Sequence, residues 1–220
     1  MCSYYSGAPK SAYEGYGLEP PADFHQSFVV RISNTQPIIT KNSPLQIKMA
    51  KWGLVPSWSK TEKVLFSTHN ARSDNILKSR VFSTPFKKNH CLVLATAWYE
   101  YKDVGEKIKQ RHVLKVNDRP YFSFAGIYDV WKDERGEDLF TYSIVTIEPS
   151  SKVHQVHDRE VAVLKKEDEE SWLNNDRTPE EYLNMLNEPY PDARLDVYQP
   201  QINQLKRDIN GPELLEPLIK

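Results

Sequence analysis

Short apolar-rich stretches recur along the chain, separated by polar connections that often contain proline. Stretches with the length and the β-branched or aromatic content of strands lie at 28–32, 37–40, 91–102, 112–116, 121–131, 141–147 and 161–164. In 141–147 both alternating sets of side chains include apolar residues, which indicates a strand covered on both faces. Fifteen prolines against eight glycines indicate stiff connections between short elements.

Helix signals are fewer and lie mainly in the C-terminal third of the chain. Thr178, Pro179 and Glu181 supply an N-cap, a first-turn proline and a capping-box glutamate, which predicts a helix to about residue 187. Two more helices are predicted within 166–174 and 74–88. Many strands with helices at intervals predict an α+β fold with curved, mainly antiparallel sheets.

Length and composition narrow the class of protein. With 220 residues, 39% hydrophobic and 27% charged, we expect one globular domain over residues 1–220 and, by default, a monomer. No apolar run reaches the roughly 20 residues of a membrane span, and the N-terminus lacks the regions of a signal peptide. We therefore expect a cytoplasmic protein, nucleoid-associated if bacterial. Two cysteines and no zinc-like ligand spacing predict neither a disulfide nor a metal site, and we expect no cofactor.

The net charge of −1 conceals a marked asymmetry. Residues 41–90 hold ten basic and two acidic side chains, whereas residues 165–220 hold seven basic and thirteen acidic ones. The basic section also contains aromatic residues, namely Trp52, Trp58, Phe66, Phe82 and Phe86. Cations that follow phosphates and rings that stack on bases are typical of single-stranded nucleic-acid grooves. A solvated basic surface over core aromatics is the alternative interpretation.

Cys2 carries distinctive chemistry because of its position. Removal of the initiator Met before so small a residue would expose the Cys2 α-amine, which titrates near ~7.7, far below the ~10.4 of a lysine. The amine and the thiol together form a 1,2-aminothiol. Such a group attacks an aldehyde through nitrogen to give an imine, and then closes through sulfur to a durable thiazolidine.

Motifs follow Cys2 in a fixed order: WGLVPSW at 52–58, NARSD at 70–74, CLVLATAWYEY at 91–101, FAGIYDVW at 124–131 and TIEPSSKVHQVHDR at 146–159. In this order the chain resembles the SRAP (SOS-response-associated peptidase) family of abasic-site-crosslinking proteins. The closing segment 197–203 is similar to the family's C-terminal pattern. The resemblance implies a barrel-like core with flanking helices. It also implies a self-modifying enzyme with a lyase-like or thiol-peptidase-like site, whose partner is single-stranded DNA containing an abasic site.

The resemblance assigns roles to four residues of the site. Cys2 would be the nucleophile, through both its amine and its thiol. Asn70 would orient the Cys2 backbone or the opened sugar, the alternative being a helix cap. Glu100 would shuttle protons, its pKa raised by burial, unless it forms a surface salt bridge. His157 would act as the general acid that opens the deoxyribose.

Further residues are predicted to contact DNA. Arg72 would bind the phosphate beside the lesion, and Trp58 with Pro56 would form an apolar wedge where the strand bends. Arg159 would contact a phosphate or pair with Asp158. For Trp52 and Cys91 we expect core packing instead.

The chain departs from the family pattern at several positions, and two of these departures lie beside predicted site residues. Ser3-Tyr4 stands where the family has Gly-Arg, so Tyr4 or Tyr5 would replace a phosphate contact by stacking. Glu160-Val161 stands where Met-Pro is usual. We expect Glu160 to add negative charge near the groove, weakening DNA binding or raising the pKa of His157.

Two alternatives belong to other functional classes. A thiol autopeptidase would act on the chain's own N-terminus with Cys2 as its nucleophile. A non-covalent module would bind single strands through the basic aromatic section, and its DNA binding would survive Cys2→Ala.

Overall fold

Eleven strands dominate the part of the chain that the computed structural model describes, residues 2–41, 44–64, 66–206 and 208–219. The strands are β1 (Tyr4–Gly7), β2 (Val30–Arg31), β3 (Thr35–Thr40), β4 (Gln46–Trp52), β5 (Asn70–Arg72), β6 (His90–Asp103), β7 (Lys109–Val116), β8 (Phe122–Lys132), β9 (Asp138–Ile147), β10 (Glu160–Val161) and β11 (Leu195–Tyr198). The helices are α1 (Lys10–Glu14), α2 (Ser83–Lys88), α3 (Ser151–His154), α4 (Glu169–Asn174) and α5 (Pro179–Leu186).

Five of these strands close into a barrel in the order β3, β6, β8, β9 and β4. Four of the five pairings are antiparallel, and the parallel pairing of β4 with β9 completes the circle. The other strands extend this barrel at its edges. The predicted α+β fold with curved, mainly antiparallel sheets and a barrel-like core is therefore confirmed.

Side chains fill the interior of the barrel, as the small number of strands requires. Trp52 is fully buried and packs edge-on against Tyr5, while its ring stacks on Tyr142. The predicted core position of Trp52 is confirmed. Truncation of such a residue to alanine would cost about 3–5 kcal/mol of folding free energy.

A second apolar layer lies between the barrel and its helices. Phe86 from α2, Trp172 from α4 and Tyr182 from α5 surround His90, whose ring stacks on Trp172 with 3.9 Å between centroids. This layer packs α2, α4 and α5 against the barrel around His90. The N-terminal end of β1 instead pairs with the second half of β6.

β6 connects the barrel to the N-terminus because it is long enough to pair with different strands along its length. Its first half pairs with β8, and its second half pairs with β1 and β7. Tyr4 lies opposite Tyr99 in this register. The chain start and the outer end of β6 are thereby held side by side.

The predicted elements agree with the structure to differing degrees. The helix from Thr178 is confirmed with its capping box, in which the Glu181 carboxylate accepts the Thr178 N–H at 2.7 Å. The helix predicted at 166–174 begins as a 3-10 turn, and only the end of 74–88 is helical, since turns occupy 73–78 and 80–82. The seven predicted strands overlap observed ones. β1, β4, β5 and β11 were missed because their stability depends on distant partners.

Candidate active site

Cys2 lies inside the protein although it is next to the chain start. Its side chain is 1% exposed, and its thiol donates a hydrogen bond to the Tyr4 carbonyl with 3.2 Å between Sγ and oxygen. Burial and the neighbouring Glu100 carboxyl raise the pKa of the Cys2 thiol well above its usual value. At neutral pH the thiol is therefore protonated.

Asn70 connects Cys2 to the strands β5 and β9. β5 places it beside β9, opposite Ile144, and its Nδ2 donates to the Cys2 carbonyl at 2.7 Å. Since Asn70 is 6% exposed and lies on a strand, the alternative of a helix cap is wrong. Its Oδ1 is buried without a hydrogen-bond partner among the described residues.

Glu100 is a buried carboxyl group at the outer end of β6. It is 3% exposed, and burial raises its pKa to about 8. Such a group is largely protonated at neutral pH and can release its proton within the working range of an acid–base catalyst. The burial excludes the alternative of a surface salt bridge.

His157 reaches Glu100 from the loop that follows α3. Its Nε2 lies 3.9 Å from Glu100 Oε2, and the Arg159 backbone N–H donates to its Nδ1 at 3.0 Å. The neutral ring therefore carries its proton on Nε2, facing Glu100. In the protonated ring Nδ1 can instead donate to Asp158, whose Oδ1 is 2.9 Å away. Burial lowers the pKa of His157, so the neutral form dominates at pH 7.

Trp58 and Pro56 line an apolar cleft of about 540 Å³ together with Phe66. Trp58 is 51% exposed and Phe66 is 56% exposed, while Pro56 is buried beneath them. The Arg80 guanidinium lies over the Trp58 ring, 4.4 Å from its centroid. Exposed rings with basic neighbours are suited to stacking on bases.

The two predicted phosphate-binding arginines differ in their surroundings. Arg72 is half exposed and forms two hydrogen bonds with Asp74, at 2.7 and 3.1 Å, so a phosphate would compete with that carboxylate. Arg159 is only 5% exposed. Its guanidinium donates to the Thr146 carbonyl at 2.7 Å and pairs with Glu148. These contacts argue against both predicted roles of Arg159, the phosphate contact and the pairing with Asp158.

The two departures from the family pattern have distinct structural consequences. Tyr4 is half-buried, and the Arg31 guanidinium lies 5.3 Å from its ring centroid, so a cation from β2 accompanies the tyrosine. Glu160 is 1% exposed and accepts the Ser150 N–H at 2.8 Å. The expected charge in the groove is therefore wrong, because Glu160 is sealed in the interior. Glu160 is not among the groups that shift the pKa of His157, which burial lowers; behind burial, it instead contributes to the raised pKa of Glu100.

Two neighbours of this site were not foreseen. His112 lies directly opposite Glu100 in the pairing of β6 with β7, so the two side chains share one face of the ribbon. Lys109, also on β7, is close enough to reinforce the lowered pKa of His157. The two strand-like runs at 91–102 and 112–116 are spaced as in a β-hairpin, which was the available signal. The pairing register that places His112 opposite Glu100 could not be read from the sequence.

The second cysteine, possible metal ligands and possible membrane spans are further candidate functional features. Cys91 is fully buried in the core and its thiol is free, as predicted. Among the described residues no three His, Cys, Asp or Glu side chains are grouped so as to hold a metal ion. None of the helices described has the length and apolar character needed to cross a membrane.

Fold and site together define a class: a β-barrel protein that encloses a cysteine at position 2 beside a carboxylic acid and an imidazole. The sequence pattern of one family, SOS response associated peptidase (SRAP), matches residues 1–204, and the chain belongs to this family.

Relatives and solved structures agree with this assignment. Abasic site processing protein YoqW of Bacillus subtilis is 33% identical over 200 residues, covering 90% of this chain and 88% of that protein. Abasic site processing protein HMCES of Rattus norvegicus is 29% identical over 198 residues, covering 76% and 55%. A crystal structure from Bacteroides thetaiotaomicron superposes with a TM-score of 0.88 at 28% identity, covering 99% of this chain and 100% of that one.

Proposed function

We propose that this protein recognises abasic sites in single-stranded DNA and bonds to them covalently through Cys2. The observation that carries the proposal is the convergence of four side chains. Asn70 holds the Cys2 backbone at 2.7 Å, and the side chains of Glu100, on β6, and His157, on the loop after α3, approach to 3.9 Å. The names of the relatives YoqW and HMCES, abasic site processing proteins, favour the same substrate class.

The bond would form in two steps once Met1 has been removed. The Cys2 amine attacks the C1′ aldehyde of the opened deoxyribose, and loss of water gives an imine. The sulfur then adds to the imine carbon while the thiol proton passes to nitrogen, which closes a thiazolidine. The raised pKa of the Cys2 thiol supports this order, because a protonated thiol leaves the first attack to the amine.

Glu100 and His157 would move the protons that these steps require. Burial raises the pKa of Glu100 to about 8 and lowers that of His157, so at pH 7 the labile proton of the pair resides on Glu100. Glu100 can supply it to the departing hydroxyl, and the Nε2–H of neutral His157 can stabilise the ring oxygen of the closed sugar by a hydrogen bond as the ring opens. Asn70 Oδ1, buried and available, would accept a sugar hydroxyl.

Trp58, Phe66 and Arg72, which we call the rim, would hold the strand around the lesion. Trp58 and Phe66 would stack on the flanking bases, and Arg72 would exchange part of its contact with Asp74 for a phosphate. This arrangement suits a flexible single strand, whose bases are free to leave their own stack.

The autopeptidase alternative is less well supported by the geometry. A thiol peptidase needs a thiolate, and burial with the adjacent Glu100 raises the pKa of the Cys2 thiol. The non-covalent alternative shares the rim with our proposal, and only chemistry separates the two.

The test is a denaturing gel of the purified protein with a single-stranded oligonucleotide carrying one abasic site. Intact mass measurement first establishes that Cys2 is the N-terminal residue. We expect a band that resists denaturation, with the mass of one protein chain plus one oligonucleotide. Cys2→Ala should give none, and Cys2→Ser should give at most a labile imine.

An undamaged oligonucleotide of the same sequence serves as the control. A durable band with Cys2→Ala, or with the undamaged strand, contradicts the proposed linkage. If the wild-type protein lacks Met1 and still gives no band, the covalent proposal fails. Retained binding on a native gel would then favour the non-covalent module.

A further inference from the structure

The hairpin formed by β6 and β7 continues well beyond Glu100. Glu100 pairs with His112, and Lys102 pairs with Gln110. At the tip, the Val104 N–H donates to the Ile108 carbonyl at 3.1 Å. We call residues 102–110 the arm.

Strand alternation determines what each face of the arm carries. Every second side chain points to the same face, so Lys102 and Val104 follow Glu100 on one strand. Gln110 and Ile108 follow His112 on the other strand. The face that begins with the candidate acid therefore continues outward with a cation and an amide, and ends with two apolar side chains.

The end of this face is open to solvent. Val104 is 50% exposed and Ile108 is 55% exposed, and the turn between them is held in the left-handed region at Gly105, Glu106 and Lys107. Positive φ angles at two consecutive non-glycine residues fix a tight tip in a backbone conformation that residues with side chains rarely adopt. A strained tip that displays two apolar side chains suits a contact surface better than a simple connection.

The charges of the arm favour a nucleic acid as its partner. Lys102, Lys107 and Lys109 are exposed along it and outnumber its two acidic residues, Asp103 and Glu106. The Asp103 carboxylate accepts the Gly105 N–H at 3.0 Å, within the tip. The arm is also continuous with the candidate active site, because Lys102 follows Glu100 on the same face of β6. Ammonium groups beside apolar side chains match the alternating phosphates and sugar or base surfaces of a single strand.

We propose that the arm is a second DNA-binding surface that holds the strand on one side of the abasic site. Lys102 contacts the phosphate next to the lesion, and Val104 with Ile108 packs against the following nucleotide. This inference rests on the proposed function, because it takes the lesion to lie at Cys2 and Glu100.

The experiment measures the rate of adduct formation against DNA concentration for Lys102→Gln and for a double variant, Val104→Ser with Ile108→Ser. Lys115→Gln, on β7 at the end of the hairpin away from the tip, is the matched control for Lys102→Gln. Each arm variant should need about 3–10-fold more DNA for half the maximal rate, while the rate at saturation is unchanged. Lys102→Gln should also reduce the salt dependence by ~0.7, the loss of one phosphate contact to a single strand.

Oligonucleotides with a flank on only the 5′ or only the 3′ side of the lesion sharpen the test. On the oligonucleotide that lacks the flank bound by the arm, the arm variants should need the same DNA concentration for half the maximal rate as the wild type. If the wild type and the arm variants need the same DNA concentration for half the maximal rate on every oligonucleotide, the arm does not bind DNA. The proposed chemistry of Cys2 would be unaffected by that result. If the wild type forms no adduct, the proposed function fails instead. Fluorescence anisotropy with the same variants then decides whether the arm binds DNA at all.

Discussion

The enclosed centre around Cys2 and the exposed rim around Trp58 are built on opposite principles. In the centre, Cys2, Asn70 and Glu100 are each less than a tenth exposed. Glu100 lies on barrel strand β6, Asn70 lies on β5, which pairs with barrel strand β9, and Cys2 precedes β1. In the rim, Trp58 and Phe66 are more than half exposed. They lie on a connection between β4 and β5.

The difference in exposure separates catalysis, in the centre, from DNA binding, at the rim. Burial changes the chemistry of a group, as the pKa of about 8 at Glu100 shows, and rigid strands hold atoms at fixed distances. Exposure leaves a ring free to meet a ligand. Substitutions in the centre should therefore change the rate of bond formation, and substitutions in the rim should change affinity.

Glu100→Gln should have the largest effect on the reaction. The amide keeps the shape of the buried side chain but cannot exchange the proton, so the rate at saturating DNA should fall ~10²–10⁴-fold. The wild-type rate should change with pH around the Glu100 pKa of about 8, and the variant should lose that component. Rapid-quench gels from pH 6 to 9 measure both. A variant that retains the same pH step would show that another group moves the proton.

Asn70→Asp should come next. The carboxylate has the same size but cannot donate to the Cys2 carbonyl, so the nucleophile loses its hydrogen bond. We expect the rate at saturation to fall by about 10²-fold, the size of effect that small misplacements of reacting groups produce. The circular dichroism spectrum should match that of the wild type. An unchanged rate in a folded Asn70→Asp protein would remove Asn70 from the mechanism.

Trp58→Ala should alter affinity and leave the rate at saturation unchanged. Loss of one stacked base costs about 1–3 kcal/mol. The DNA concentration for half-maximal rate should rise accordingly, while Trp58→Phe should restore most of the loss. A fall in the saturating rate without a change in affinity would break the division between centre and rim.

Glu160→Gln should have the smallest effect on the reaction and a clear effect on stability. Burial raises the pKa of Glu160 to about 7 from 4.5, so the folded state holds a proton that the unfolded state has released between those pH values. The wild type therefore loses stability as pH rises from about 4.5 to 7, by up to about 3 kcal/mol. The amide can still accept the Ser150 N–H and should remove this loss.

Thermal unfolding of both proteins at pH 5 and pH 8 measures the effect. The melting temperature of the variant should exceed that of the wild type by more at pH 8 than at pH 5. An equal gain at both pH values would mean that Glu160 titrates normally in the folded protein. Adduct formation serves as the control and should remain near the wild-type level.

The sequence by itself determined the local features. The capping box at Thr178, the strand-like runs and the motifs around Cys2, Asn70, Glu100 and His157 depend on neighbouring residues or on a recognisable order along the chain. Such patterns survive without knowledge of distant contacts, and together they indicated the fold class, the family and the residues to examine.

Only the tertiary structure decided which of these residues meet, and in what state. Asn70 reaches Cys2 across 68 residues because β5, a three-residue strand without a signal of its own, pairs with β9. Arg159 and Glu160, charged in the sequence, are enclosed by partners that no local pattern could predict. Burial and pairing register arise from contacts distant in sequence, and they set the pKa of a carboxyl group and the face on which a side chain lies.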